Sequence, residues 1–142
     1  MKVNKSTVLL AINYFQIKQK IKMTVQEIAN RLVELCRKGD YQSCYDELYS
    51  PNAKSIEPEG VPFEREVQGM EAFKIKGEKW RETLEEVHGG EIGEPIVAGN
   101  HFSLVSSLDA TFKGSGRTTF EEICVYEVKD GKIVKEQFFY GM

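Results

Sequence analysis

Residues 118–140, TTFEEICVYEVKDGKIVKEQFFY, decide the fold. Two runs that alternate between apolar and polar residues flank Asp130-Gly131. A tight hairpin turn needs positive φ at both central residues, which Asp and Gly tolerate, so the stretch predicts two long antiparallel strands. Upstream, KGSG at 113–116 closes a second hairpin onto HFSLVSSLDATF at 101–112. Gly99-Asn100 turns that strand back onto EPIVA at 94–98. From Gly90 onward the pattern is all strand.

Before that point the period changes. Thr24 and Glu27 form a T-x-x-E capping box, and Val25, Ile28, Ala29, Leu32 and Cys36 follow at helical spacing. Gly39 stands where a left-handed residue ends a helix. Asp40 can cap a second helix carrying Tyr41, Cys44, Tyr45, Leu48 and Tyr49 on one side. SPN at 50–52 breaks it, and AKSIEP at 53–58 reads as a short strand. A third helix is expected from Met70 to Glu86, with Phe73, Trp80, Leu84 and Val87 inward; Gly77 inside it costs about 1 kcal/mol relative to alanine. Helices followed by a long meander imply an α+β domain, its helices packed on one face of a curved sheet.

The chain has 142 residues, 41% hydrophobic and 29% charged, the proportions of one soluble globular domain. Its net charge of −3 is uneven. Residues 1–22 hold five lysines and no acid, so the remainder sets 14 basic against 22 acidic residues. An acidic body repels phosphate backbones, which argues against a nucleic-acid partner. Cys36, Cys44 and Cys124 form no C-x-x-C pair. Their apolar surroundings suggest free thiols in a reducing cytoplasm, with no metal site.

Residues 1–22 imitate a signal peptide, with lysines ahead of TVLLAINYF at 7–15. A small-residue cleavage site is missing, and the run is shorter than the about 20 apolar residues that span a bilayer. We therefore expect an N-terminal extension at 1–22, from a misplaced start, and a domain at 23–142, with no membrane partner.

LVELCRKGDYQSCYDELYSPNAKSIEPEG at 32–60, Lys79-Trp80, EVHGGEIGEPIVAGNHF at 86–102 and the closing hairpin resemble the SnoaL-like group of the nuclear-transport-factor-2-like superfamily, which includes ketosteroid isomerases and polyketide cyclases. The resemblance spans about residues 24–141. It implies a cone-shaped α+β barrel, three N-terminal helices packed on a strongly curved, mainly antiparallel sheet around a deep pocket. It also implies a homodimer with sheets packed together. The superfamily holds enzymes and mere binders, so the fold leaves function open.

Strand alternation sorts the side chains by face. Phe120, Glu122, Cys124, Tyr126 and Val128 share one face of their strand; Glu136, Phe138 and Tyr140 share one of theirs. Matching hairpin turns to the isomerases turns both sets inward, with Leu104, Ser106, Leu108 and Ala110, and leaves His101 and Asp109 outward. A one-residue slip would instead expose both glutamates. Glu57, before Pro58, falls on the isomerase base. A buried carboxylate there would serve as a base near neutrality, while the same residue could bond backbone N–H groups or sit at a wet rim. The isomerase oxyanion donors correspond to Leu32 and Cys124, which removes support for steroid isomerisation. The epoxide-hydrolase pattern lacks its inward arginine, because Arg31, Arg37, Arg65, Arg81 and Arg117 fall on helices, a loop or a hairpin end.

Two readings of the remaining cluster stand open. Glu57 or Glu122 carries acid–base catalysis without a cofactor, aided by Glu136, Tyr126 and Tyr140; or the glutamates accept bonds and only order the pocket. His88, ahead of Gly89-Gly90, reads as a helix C-terminal partner or a ligand contact, and Trp80 as core, pocket roof or stacking surface. With Cys124 and Phe138 these are the candidate ligand-binding residues. The ligand expected is a small, mostly apolar organic molecule, and the alternative is a ligand-binding or dimerisation module without turnover.

Overall fold

A computed structural model describes residues 4–20 and 22–141. Residues 1–3 and 21 of the expected extension, and residue 142 of the expected domain, lie outside the described residues. Four helices, α1 (Lys5–Lys20), α2 (Val25–Arg37), α3 (Tyr41–Leu48) and α4 (Met70–Glu82), accompany seven strands. The strands are β1 (Tyr49–Ile56), β2 (Glu66–Gln68), β3 (Leu84–Ile92), β4 (Ile96–Ala98), β5 (His101–Phe112), β6 (Gly116–Lys129) and β7 (Lys132–Phe139). They form one sheet in the order β2-β1-β7-β6-β5-β3, with β4 also on β5. Every pairing is antiparallel except β1 with β7, so the architecture is α+β with a mixed, mostly antiparallel sheet.

Local chemistry sets the helix ends. Thr24 accepts from the Glu27 backbone while the Glu27 carboxylate accepts from Thr24 N, completing the capping box that starts α2. Gly39 takes φ +71° after α2, and Asp40 caps α3 through the Ser43 N–H. Between β6 and β7 Asp130 and Gly131 both have positive φ, +52° and +74°, the turn that lets this hairpin keep its twist.

Two expectations fail. The third helix stops at Glu82, and 84–92 is strand, so Leu84 and Val87 belong to β3 and Val87 is exposed. Pairing of β3 with β5 overrides the helical propensity of RETLEEV. Gly90 permits that pairing, since a Cβ there would meet the Ser107 carbonyl oxygen at 2.6 Å. SPN, read as a break, lies inside β1, which starts at Tyr49. Pro51 is exposed there, and the pairing with β7 is irregular between Tyr49 and Lys54.

The core lies between the helices and one face of the sheet. Ile28, Leu32 and Leu35 of α2, Leu48 of α3 and Phe73 of α4 meet Phe102, Leu104, Val128 and Ile133 there. Cys36, Cys44 and Cys124 are free, with the Cys36 and Cys44 sulfurs 3.9 Å apart. On α1 the side chains of residues 5–17 are exposed, Leu9, Leu10, Tyr14 and Phe15 among them. Among the described residues no helix is long and apolar enough to cross a membrane.

Candidate functional site

Strand register assembles the site in rows across the helix-covered face. Ser55 of β1 lies opposite Glu136 of β7, which lies opposite Tyr126 and then Phe102. The next row holds Phe138, Cys124 and Leu104. Beyond it stand Glu122 and Ser106, then Phe120 and Leu108. Both glutamates thus occupy the inward phase that the resemblance implied. Ser55 and Glu57 continue that face from β1, two residues apart.

A chain of short hydrogen bonds joins these rows to α4. Lys76 projects from α4 on the side shared with Phe73 and Trp80, three and four residues away. Its Nζ lies 2.5 Å from Glu57 Oε1 and donates to Ser55 Oγ at 2.6 Å. Ser55 donates onward to Glu136 Oε1 at 2.8 Å, and the Tyr49 hydroxyl donates to Glu136 Oε2 at 2.5 Å. At the other end Tyr140 donates to Glu57 Oε2 at 2.7 Å, while the Phe138 ring centroid lies 4.9 Å from the ammonium. Glu57 and Glu136 are 7% and 6% exposed, so these partners replace water.

Glu122 differs from both. It is half-buried, and its hydrogen-bond partner among the described residues is the Cys124 thiol at 3.6 Å, a weak donor. Burial pushes its carboxyl up to about 7; the Cys124 bond opposes that, while the charges of Glu57 and Glu136 add to it. Burial likewise raises Glu136, against the pull of Tyr49, Lys76 and Ser55. One lysine among three carboxyl groups leaves the cluster short of positive charge. A proton shared within it relieves the repulsion, and the least-bonded acid is the natural holder.

Aromatic rings lead from Glu57 toward Trp80. Tyr140 packs edge-on against Phe120 at 4.7 Å between centroids, and Trp80 lies 5.6 Å from Phe120, 5.7 Å from Phe112 and 6.0 Å from Phe63. All five rings are partly exposed, an apolar lining beside the acids. Tyr126 is buried and stacked on Phe102 at 4.6 Å, within the core. His88 lies on β3, not at a helix end. Its Nε2 is 2.8 Å from Thr111 Oγ1, and its charged neighbours are Glu86 and Asp109, neither of them in the cluster. Leu32 and Cys124, expected at the isomerase donor positions, are buried and offer no strong donor.

Lys76, Ser55 and Tyr49 are site residues that the sequence reading overlooked. A lysine on a helix reads as solvent-facing, yet its spacing from Phe73 and Trp80 marks the inward side. Ser55 alternates in phase with Ala53 and Glu57, which was a usable signal as well.

Helices against one face of a mixed sheet, with acids on that face, define the NTF2-like class. The SnoaL-like domain matches residues 23–140, and the chain belongs to that family. A Mesorhizobium loti protein is 37% identical, with a TM-score of 0.76 over 83% of this chain and all of that one. It is described both as a presumed SnoaL-like polyketide cyclase and as a carbohydrate phosphatase, two unrelated reactions. An NTF2-like protein from Burkholderia pseudomallei shares the fold at 14% identity and TM-score 0.69, over 84% of this chain and 92% of that one. TerC, crystallised with polyporic acid, does so at 15% identity and TM-score 0.68, over 83% and 92%. Among proteins of curated function none matches.

Proposed function

We propose that the protein binds a small, neutral, mostly apolar organic molecule against Trp80, Phe120 and Tyr140, and exchanges a proton with it through Glu122, without a cofactor. The observation that carries this reading is a half-buried carboxyl with one weak partner, set beside aromatic rings and two fully engaged acids. A group titrating near 7 both gives and takes protons at neutral pH, which suits enolisation or ring closure at an acidic C–H. Glu57, the other candidate base, has both oxygens bonded, one to Lys76 and one to Tyr140. Its place is therefore in the electrostatic frame. A phosphate ester suits the site poorly, because the acids outnumber the one lysine, already engaged.

The test is deuterium uptake from D2O into a panel of neutral aromatic ketones with enolisable C–H bonds, read by mass spectrometry. Exchange above background that disappears in Glu122→Gln supports proton transfer. Ketones that bind wild type and Glu122→Gln alike, with equal background exchange in both, would leave the chain a binding module.

The opposite face supports a homodimer. Val105, Ile123 and Phe139 face one another across β5, β6 and β7 and are 52%, 50% and 49% exposed. Such an apolar row suits a second copy of the same sheet. Ile123→Lys should convert a dimer into a monomer in sedimentation equilibrium, and an unchanged mass would refute this interface.

A further inference from the structure

Lys76 occupies a place that no proton-transfer role for Glu122 by itself explains. Its side chain is 18% exposed, and it spends its donors on Glu57 and Ser55 while the Phe138 ring lies near its ammonium. Ser55 is 1% exposed and has a single hydroxyl hydrogen. Because it accepts from Lys76, that hydrogen is directed to Glu136, and the lysine reaches a second acid through one serine. Glu122 lies on β6, outside this chain of bonds. The groups that face it are Glu57, Glu136, Lys76 and Cys124, with the phenols of Tyr41, Tyr126 and Tyr140.

We infer that Lys76 is a positioning residue for proton transfer: its ammonium engages Glu57 directly and Glu136 through Ser55, so that of the three carboxyl groups only Glu122 is free to exchange a proton with a ligand. The inference rests on the reading of Glu122 given above. Without the lysine, Glu57 loses its paired cation, and Glu136 competes with Glu122 for the proton. Charge is what matters, so an arginine reaching the same oxygens keeps the arrangement.

Side-chain carbon NMR titration of the full chain, with glutamates assigned through Glu→Gln variants, tests this. In Lys76→Met the Glu136 transition should move upward by about one pH unit relative to wild type, and Lys76→Arg should return it most of the way. Lys76→Gln, which also lacks the charge, decides the matter if Lys76→Met does not fold. A Glu136 shift of only a few tenths in the uncharged variant would overturn the inference and reduce Lys76 to packing. A wild-type Glu122 that does not titrate near neutrality would instead sink the proton-transfer reading, and the two failures are distinguishable in one data set.

Discussion

Glu136 and Glu122 stand on neighbouring strands, face the same side of the sheet and carry the same carboxyl. Glu136 is enclosed by Tyr49 and Ser55, each donating to one of its oxygens. Glu122 has the Cys124 thiol at 3.6 Å and partial access to solvent. The contrast teaches that residue type and strand phase bring an acid to a site, while its partners decide whether it holds structure or stays available for chemistry. Substitutions at the two positions should therefore diverge.

The largest effect is expected at the enclosed end. Glu136→Ala leaves two buried donors without an acceptor and opens a void, and should destabilise by about 3–4 kcal/mol in urea unfolding. Lys76→Met leaves the Glu57 carboxylate buried beside a missing cation and should cost about 2–3 kcal/mol at pH 7.

Glu122→Gln should behave in the opposite sense, because its folded value of about 7 lies above the ordinary 4.5. Below pH 4.5 both folded and unfolded chains hold the proton, and the residue makes no difference. Between 4.5 and 7 the unfolded chain releases it first, so wild-type stability falls as pH rises, and above 7 the loss is complete. The variant should be more stable than wild type by about 3 kcal/mol at pH 8 and nearly equal to it at pH 4, measured by urea unfolding at both pH values. A variant less stable at pH 8 would erase the distinction between the two acids. At the small end, His88→Ala should change stability by less than about 0.5 kcal/mol, since its exposed position and its contacts lie outside the cluster.

Much of this arrangement was legible before the fold was known. The capping box at Thr24, the left-handed Gly39 and the Asp130-Gly131 turn are local rules that need no tertiary context. Period-two alternation on β6 and β7 sorted Glu122 and Glu136 by face, and the resemblance to the isomerases turned those faces inward. Residues 84–86 were read as helix because local propensity and sheet pairing conflict there. Leu84, Glu85 and Glu86 favour a helix, whereas β5 offers an antiparallel ladder interrupted by two register shifts, and Gly90 was a sign of close strand approach. Lys76 was hidden for a different reason. Its spacing from Phe73 and Trp80 gives the side of the helix, but nothing local says whether a lysine on that side meets a buried carboxylate or water. Only the approach of α4 to β1 does so, and that contact joins positions some twenty residues apart. Ser55 and Tyr49, the two donors to Glu136, likewise meet it only through strand pairing and tertiary contact.

The most direct test of the account is the titration of the Glu122 side-chain carboxyl by carbon-detected NMR, assigned by its disappearance in Glu122→Gln. The account predicts a midpoint near 7. A midpoint near the ordinary carboxylate value of about 4.3 would contradict it, because Glu122 would then hold no proton to give at neutral pH.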